Sequence, residues 1–209
     1  TSGVHVTRIS DGLVKVIQLS APPTDIDNVS TPSSDSNVDA EGITDRLLVM
    51  VRDTQDALLF SLDELIEGDE VNLEAWRVET QAGVRGLAAV SRDGHWALLY
   101  STLNQNDELY IVDLTGRDDS KTLSLRKGIN GVHISRDHHY ALITHPPQSL
   151  TEGMSAADQL IARSPAYSIV HLETGYSRLI PAQAEVKSSA FWSEPESSDA
   201  FAFLIFEGQ

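Results

Sequence analysis

Residues 91–99 read SRDGHWALL and residues 135–143 read SRDHHYALI, so one phrase occurs twice in this chain, 44 residues apart. In both copies a polar turn precedes a run of apolar and aromatic residues, which is the pattern of a turn followed by a β-strand. A period of 20–50 residues is typical of proteins built from repeated supersecondary units. The repeated phrase therefore predicts a β-rich repeat fold.

A second phrase recurs at the end of another strand. Residues 111–116 read IVDLTG and residues 169–175 read IVHLETG, while residues 59–62 and 7–12 fit the same position more loosely. The aligned apolar positions are separated by 53, 52 and 58 residues: Ile9, Leu62, Leu114 and Leu172. A unit of four antiparallel strands with its turns has about this length.

The order of these phrases along the chain gives the phase of the repeat. With the strands of one unit labelled a to d, the first phrase is the a–b turn with strand b, and the second phrase ends strand c. The chain then begins with strands c and d, continues through three complete units and finishes with a and b, sixteen strands in all. Two arrangements are open: the terminal pairs combine and close a small ring, or the chain is an arc of a larger ring. An open arc leaves exposed strand edges and half-covered apolar faces, which favour aggregation.

This pattern resembles the β-propeller superfamily, in the broad sense that includes WD-repeat proteins and related bacterial propellers. The resemblance rests on the Ser-x-Asp turn with its following strand at 91–99 and 135–143, and on the strand endings at 111–116 and 169–175. It implies an all-β propeller of four-stranded meander blades, with about four blades' worth of strands. We therefore expect residues 1–209 to form a single propeller domain or a propeller fragment. The fold hosts lyases, hydrolases, receptors and scaffolds alike, so it does not choose a function.

Composition narrows the classes of partner. The chain has 31 Asp and Glu residues against 15 Lys and Arg, which gives a net charge of −16. Such a surface repels phosphate backbones and anionic lipids, so we expect no nucleic-acid partner. No run of about 18 apolar residues occurs, which predicts no membrane span. The absence of cysteine excludes disulfides, thiolate catalysis and cysteine-based zinc sites.

Residues 22–44 are rich in Ser, Asp, Thr and Pro, and this composition predicts a polar surface loop. A weak signal for the first strand of a unit lies within it, near residues 26–29. Asp25, Asp27, Asp35 and Asp39 have the oxygen ligands that calcium prefers, but their spacing fits no EF-hand loop. The interpretation as a solvated loop is favoured over a cation site.

Residues 146–165 interrupt the third unit between strands b and c, and are predicted to form a loop and helix insertion. Met154, Ala157 and Ile161 follow helical spacing, with Leu160 beside them, and Ser155 or Thr151 is a candidate cap. The resemblance places b–c loops on the face where propellers often bind ligands. Met154, Leu160 and Ile161 are therefore candidate partner-binding residues. The alternative is a helix that packs its apolar stripe onto its own sheet.

Histidine is concentrated in one part of the chain, at His95, His133, His138, His139 and His145. A metal site needs several imidazoles that converge from rigid elements. His138 and His139 are neighbours in a turn, and His95 and His139 are equivalent repeat positions, so structural roles are favoured. We predict no metal site and no cofactor. No nucleophile elbow and no glycine-rich phosphate loop occur, and catalytic residues cannot be assigned.

The aromatic residues are predicted to pack between sheets, because aromatic side chains bring the largest buried area per residue. This prediction covers Trp76, Trp96, Trp192, Tyr100, Tyr140 and Phe203.

The sequence thus favours a non-enzymatic binding or assembly module for protein partners or for other subunits of an assembly. The alternative is a propeller enzyme, a hydrolase or a carbohydrate-active lyase, with its site at the central channel. A purely structural subunit is a third possibility.

Overall fold

The computed structural model describes residues 2–30, 44–51, 56–67, 76–79, 86–116, 120–193 and 200–206. Within these residues it contains sixteen β-strands and two α-helices. The strands, in chain order, are β1 (Ser2–Thr7), β2 (Val14–Leu19), β3 (Pro23–Ser30), β4 (Thr44–Val51), β5 (Asp56–Ser61), β6 (Trp76–Glu79), β7 (Leu87–Val90), β8 (Trp96–Tyr100), β9 (Glu108–Asp113), β10 (Lys121–Ser124), β11 (Gly131–Ile134), β12 (Tyr140–His145), β13 (Ala166–His171), β14 (Ser177–Pro181), β15 (Val186–Ser193) and β16 (Ala200–Phe206). The helices are α1 (Leu62–Glu67), which follows β5, and α2 (Ala156–Arg163), which lies between β12 and β13.

The strands form five antiparallel sheets, numbered 1 to 5 along the chain. Sheets 2, 3 and 4 are four-stranded meanders, β3 to β6, β7 to β10 and β11 to β14, in which each strand pairs with the next. Sheet 1 contains only β1 and β2, and sheet 5 only β15 and β16. The predicted phase is therefore confirmed: a half-unit, three complete units and a half-unit. In the described residues the two half-sheets do not pair with each other, so the ring is open.

The first strands of sheets 2 to 5 lie side by side. β3 contacts β7, β7 contacts β11 and β11 contacts β15. These strands form the inner side of the arc, and the later strands of each sheet lie farther out. This arrangement places strand a of every unit where it can line a central space.

Apolar side chains fill the spaces between successive sheets, because each central strand is covered on both faces. In β4, every side chain from Leu47 to Val51 is buried. Three clusters result, one between each pair of neighbouring sheets from 1 to 4. Burial of apolar surface on both faces of the central strands is the main stabilising contribution to this fold.

The expected loop at 22–44 is wrong for its first part, because residues 23–30 form strand β3. Successive side chains of β3 lie on opposite faces of the sheet. Asp25, Asp27 and Val29 share the face towards sheet 3, where Val29 is fully buried. The Asp25 carboxylate accepts a hydrogen bond from the Ala88 backbone N–H at 2.8 Å, which satisfies a polar group on this strand. Residues 31–43, the rest of that expected loop, lie outside the described residues.

Two predicted core aromatics are exposed on sheet 5. Trp96 is buried at 5% exposure, as predicted, whereas Trp192 is 49% and Phe203 58% exposed. The reason is that no further sheet of the described residues covers this side of β15 and β16. The side chain of Trp76 lies outside the described residues.

No helix in the described part of the chain has the length and apolar character that a membrane crossing requires.

Candidate functional site

The repeated Ser-x-Asp phrase forms a self-contained turn. Ser91 Oγ donates to Asp93 Oδ1 at 2.6 Å, and the same oxygen accepts from the His95 backbone N–H at 3.1 Å. The Trp96 N–H donates to Ser91 Oγ at 2.8 Å, which starts strand β8. The second copy repeats these contacts at its equivalent positions, beginning at Ser135. The serine and aspartate of the phrase therefore have structural roles.

The histidines are placed in different local environments. His95 stacks on Trp96, with ring centroids 4.5 Å apart, and its Nε2 lies 3.4 Å from Asp113 Oδ1. His138 takes the place of Gly94 in the second turn and has a positive φ of 62°. Among the described residues no three potential metal-ligating side chains converge.

His145 is buried inside sheet 4. Its Nδ1 lies 3.0 Å from the Gly128 carbonyl oxygen, and its Nε2 lies 2.8 Å from Ser168 Oγ. The carbonyl accepts only, so Nδ1 carries the proton and Nε2 accepts from the serine hydroxyl. Burial lowers the pKa of His145 to about 4, so the ring is neutral at pH 7. This histidine holds β12 to β13.

The insertion at 146–165 contains helix α2. Ser155 caps its first turn, since Ser155 Oγ accepts from the Asp158 N–H at 3.1 Å. At the other end the buried Lys127 ammonium donates to the carbonyls of Ile161 and Ala162, at 2.9 and 3.0 Å. A cation at a helix C-terminus satisfies carbonyls that have no partner within the helix. The last turn of the helix is thus fixed to the connection between β10 and β11.

The three candidate partner-binding residues have unequal exposure. Leu160 is 69% exposed, whereas Met154 and Ile161 are half-buried. Ala162 of the helix is buried, and Ala157 of the expected stripe is exposed. Leu160 is consequently the residue of this group that extends farthest into solvent.

A cavity of about 560 Å³ opens among the inner strands of sheets 2 to 5. It is lined by Asp27 of β3, Ala88 of β7, Val132 of β11 and Phe191 of β15, together with Tyr100 of β8. Its volume lies within the range of small-molecule sites in proteins. The cavity exists because four inner strands converge there.

Asp27 is the unusual group of this cavity. Its Oδ2 is buried and has no hydrogen-bond partner in the part of the chain that the structure describes. Burial raises the pKa of Asp27 to about 6, and the neighbouring charge of Asp25 adds to the effect. Burial and the same two carboxylates raise the pKa of Tyr100. A half-buried carboxyl without a donor is typical of a functional position, although structural sites also contain such groups.

The rim of the cavity comes from the repeat itself. Arg92 and Arg136, the second residues of the two Ser-x-Asp turns, both line it, and so does His133. Sequence reasoning did not find this site, because its residues belong to four separate units. The one available signal was the weak strand near residues 26–29, which places Asp25 and Asp27 on the same face of an inner strand.

Sheet 5 presents an open apolar face. Trp192, Phe201, Phe203 and Ile205 share this face and are 49 to 62% exposed. Trp192 and Phe201 are in contact, with ring centroids 5.6 Å apart. Exposed apolar patches of this kind mark interaction sites or aggregation-prone surfaces.

Comparison with known proteins finds solved structures that this chain resembles in fold. No protein-family model and no curated protein matches the chain. Hydrazine synthase from Kuenenia stuttgartiensis matches with a TM-score of 0.58 and 14% identity, over 88% of this chain and 49% of that chain. Hsv2 from Kluyveromyces lactis matches with a TM-score of 0.51 and 9% identity, over 98% of this chain and 56% of that one.

The β-propeller domain of Cps50 (Swd1) from Myceliophteria thermophila matches more weakly, with a TM-score of 0.42 and 10% identity, over 90% of this chain and 68% of that one. The chain spans about half the length of the first two structures. At these identities the likeness shows the fold alone. The meander sheets, with their first strands side by side, and the likeness to the first two structures show that this chain has an all-β, β-propeller fold of four-stranded blades.

Proposed function

We propose that this chain is a non-enzymatic binding and assembly module that takes protein partners. The observation that supports this proposal is the open face of sheet 5, with Trp192, Phe201, Phe203 and Ile205 on one side of a two-stranded sheet. Aromatic side chains on an exposed face are enriched at protein interfaces, where they supply large contact area. Among the described residues β15 alone pairs with β16, so the other backbone edge of β16 presents hydrogen-bonding groups that a partner strand can use.

Helix α2 is proposed as a second contact element, with Leu160 as its exposed residue and Met154 and Ile161 beside it. Lys127 fixes the last turn of the helix, so Leu160 is presented from a rigid support. A pre-ordered contact element loses little conformational entropy when it binds.

Site-specific photo-crosslinking tests the proposal. A benzoylphenylalanine residue is placed at Phe203 or at Leu160, and at Tyr176 as a control that is equally exposed, at 68%. We expect protein crosslinks from positions 203 and 160 well above those from position 176. Equal yields at all three positions would contradict the assembly function.

The second candidate is an enzyme, a hydrolase or a carbohydrate-active lyase, with its site in the inner cavity. Asp27 favours this candidate, since a carboxyl with a pKa near 6 is suited to general acid–base catalysis near neutral pH. Hydrolysis and β-elimination assays on a panel of polysaccharides and esters test it. An activity that disappears in Asp27→Asn and persists in Glu152→Gln, an exposed carboxylate in the 146–165 insertion, supports the enzyme; no activity above background argues for the binding module.

A further inference from the structure

The inner cavity holds its charged groups in two layers, and the alignment of its strands shows this. The Asp25 carboxylate of β3 accepts a hydrogen bond from the Ala88 N–H of β7, and farther along the carbonyl oxygen of Ser30 lies against Gly94. The chain advances from residue 25 to 30 on one side and from 88 to 94 on the other, so β3 and β7 run in the same direction. Positions on the two strands can therefore be compared by their level along the inner wall.

The acidic layer lies level with strand β7 itself. Asp27 follows Asp25 on the same face of β3, and the alignment of the strands places it about level with Val90. Tyr100, which pairs with Leu87 at the start of β7, also lines the cavity. Burial, and then the charges of Asp25 and Asp27, raise the pKa of Tyr100, so both carboxylates are near its hydroxyl. Two carboxylates and a phenol therefore form one layer.

The basic layer lies just past the ends of the inner strands. Arg92 lies in the turn that follows β7 and Arg136 in the turn that follows β11, and both residues line the cavity. The two turns are neighbours, because His138 Nδ1 of the second lies 3.6 Å from Asp93 Oδ1 of the first. Both arginines are exposed, whereas Asp27 is half-buried. The guanidinium groups therefore occupy the more exposed end of the cavity, beyond the carboxylates.

Apolar side chains make up most of the remaining wall. They come from the inner strands β7 and β11: Ala88, Ala89, Val90, Val132 and Ile134. His133 and Ser135 add polar atoms, and the hydroxyl of Ser135 is already used within its own turn. A wall of this kind suits the hydrocarbon part of a ligand.

The Asp27 carboxylate lacks the donors that its neighbour has. Asp25 accepts from the backbone N–H groups of Ala88 and Ile26, whereas the buried Oδ2 of Asp27 accepts from no group in the described residues. A buried charge without a partner is costly, and a ligand cation would remove this cost. A ligand hydroxyl would supply a hydrogen bond only. Because Asp25 adds a second negative charge nearby, a full positive charge fits this position better.

We propose that the inner cavity binds a small zwitterion, with its cationic group at Asp27 and its anionic group at Arg92 and Arg136. Arginine presents a planar set of N–H donors that matches a carboxylate or a phosphate. A guanidinium has five such donors, so it can hold a ligand anion together with a protein partner. The volume of about 560 Å³ admits a ligand of amino-acid size or somewhat larger. This site is additional to the protein contacts of the proposed function and requires no reaction.

The order of charges along the wall selects a zwitterion over a simple ion. A simple anion would pair with the arginines but would bring negative charge towards Asp25 and Asp27. A simple amine would pair with Asp27 but would bring positive charge towards the guanidinium groups. A ligand with opposite charges at its two ends satisfies both layers at once.

Calorimetric titration gives the first test. The probes are ω-amino carboxylates of increasing length, from glycine to aminooctanoate, each compared with the alkylamine and the alkyl carboxylate of the same length. We expect one length to bind best, and to bind about tenfold or more tighter than both of its matched ligands, because each end forms its own charged hydrogen bonds. If no zwitterion of the series binds, or if a matched ligand with one charge binds as tightly, the proposal is wrong.

Substitutions then assign the two ends of the ligand. Asp27→Asn removes the charge with little change of shape, and we expect it to weaken the best zwitterion and the matched amine alike, by about tenfold or more. Arg136→Gln is expected to reduce the advantage of the zwitterion over the amine. Glu152→Gln, at an exposed position in the 146–165 insertion, is the control and is expected to bind as the unmodified chain does. Circular dichroism checks that each variant is folded. Unchanged affinity in Asp27→Asn would overturn the proposal.

Amide NMR locates the ligand without any substitution. When the isotope-labelled unmodified chain is titrated with the best zwitterion, we expect the shift changes to be concentrated at residues 88–90 and 132–134, which line the cavity. Changes concentrated in helix α2 or in sheet 5 would place the ligand elsewhere and overturn the proposal. The titration detects binding and not turnover, so its outcome is independent of the photo-crosslinks and of the enzyme assays that test the proposed function.

Discussion

A Cβ atom built on Gly94 would lie 1.7 Å from the carbonyl oxygen of Ser30, so the first Ser-x-Asp turn of sheet 3 is in direct contact with the end of strand β3 in sheet 2. Arg46 of β4 strengthens this contact, because its guanidinium donates to the carbonyls of Ser30, at 2.7 Å, and of Gly94, at 3.3 Å. Two neighbouring sheets are therefore joined through backbone atoms as well as through apolar side chains.

Gly94→Ala tests this backbone contact. Gly94 has a φ of +68°, where an L-residue is strained by about 1 kcal/mol, and the added methyl group also collides with Ser30. Gly116→Ala is the matched control, since Gly116 has a φ of +70° and no atom within 4 Å of the built Cβ. In thermal and urea unfolding we expect Gly116→Ala to lose about 1 kcal/mol and Gly94→Ala clearly more. Equal losses would show that the contact with Ser30 relaxes without cost.

Trp96→Ala tests the core between sheets 3 and 4. Trp96 is 5% exposed, stacks on His95 and lies under the Lys121 ammonium, 5.9 Å from the ring centroid. Removal of a buried aromatic side chain leaves a cavity, so we expect a loss of about 3 kcal/mol or more in the free energy of unfolding. Trp192→Ala is the comparison, because its side chain is 49% exposed, and a much smaller effect is expected. An unchanged melting temperature for Trp96→Ala would contradict its place in the core.

His145 predicts a specific loss of stability in acid. Its pKa is lowered to about 4 in the folded chain, mainly by burial, against about 6.5 when exposed. The folded state therefore binds fewer protons, and the stability present above pH 6.5 is lost as the pH falls to 4, by about 3 kcal/mol in all. In His145→Gln we expect lower stability at pH 7.5 and a flatter decline between pH 6.5 and 4. His5→Gln, at an exposed position, is expected to decline as the unmodified chain does. If His145→Gln leaves the slope of stability against pH unchanged between pH 6.5 and 4, the lowered pKa of His145 does not cause the loss of stability in acid.

Asp27 predicts the opposite pH dependence. Burial and the charge of Asp25 raise its folded pKa to about 6, against about 3.8 when exposed, so the folded state binds the proton more tightly. Stability is then greatest at low pH and falls as the pH rises from about 4 to 6. Asp27→Asn cannot ionise, and we expect it to stabilise the chain by about 1 kcal/mol at pH 7.5, since solvent screens a half-exposed group, and to have little effect at pH 4. The measurement is thermal unfolding at the two pH values, with Glu152→Gln as the control. Equal effects of Asp27→Asn at both pH values would show that burial does not raise the pKa of the Asp27 carboxyl.

The repeat was predictable because its signals are local. Ser91 and Asp93 hydrogen-bond within their own turn, and the same residue types return 44 residues later, so the phase of all sixteen strands followed from the sequence. Strand β3 was missed as a continuous element because its polar residues are stabilised by sheet 3, for example through the Ala88 N–H, and not by local propensity. Helix α1 carries few local signals and was not predicted.

The cavity and the exposed face were not predictable for a related reason. Asp27 and Phe191 are far apart in the chain and line the same cavity only because the inner strands converge. Trp192 and Phe203 have the residue types of a core, and only the arrangement of the sheets shows that no unit of the described residues covers them. Periodicity indicates which side of a strand is apolar, but it does not indicate whether a neighbour is present.

Each Ser-x-Asp turn forms its hydrogen bonds within six residues. One short segment of sequence therefore specifies the turn of its hairpin. A duplication or deletion of whole repeats would preserve these turns and would alter mainly the number of blades. The hairpins of the blades that remain would keep their own turns after such a change.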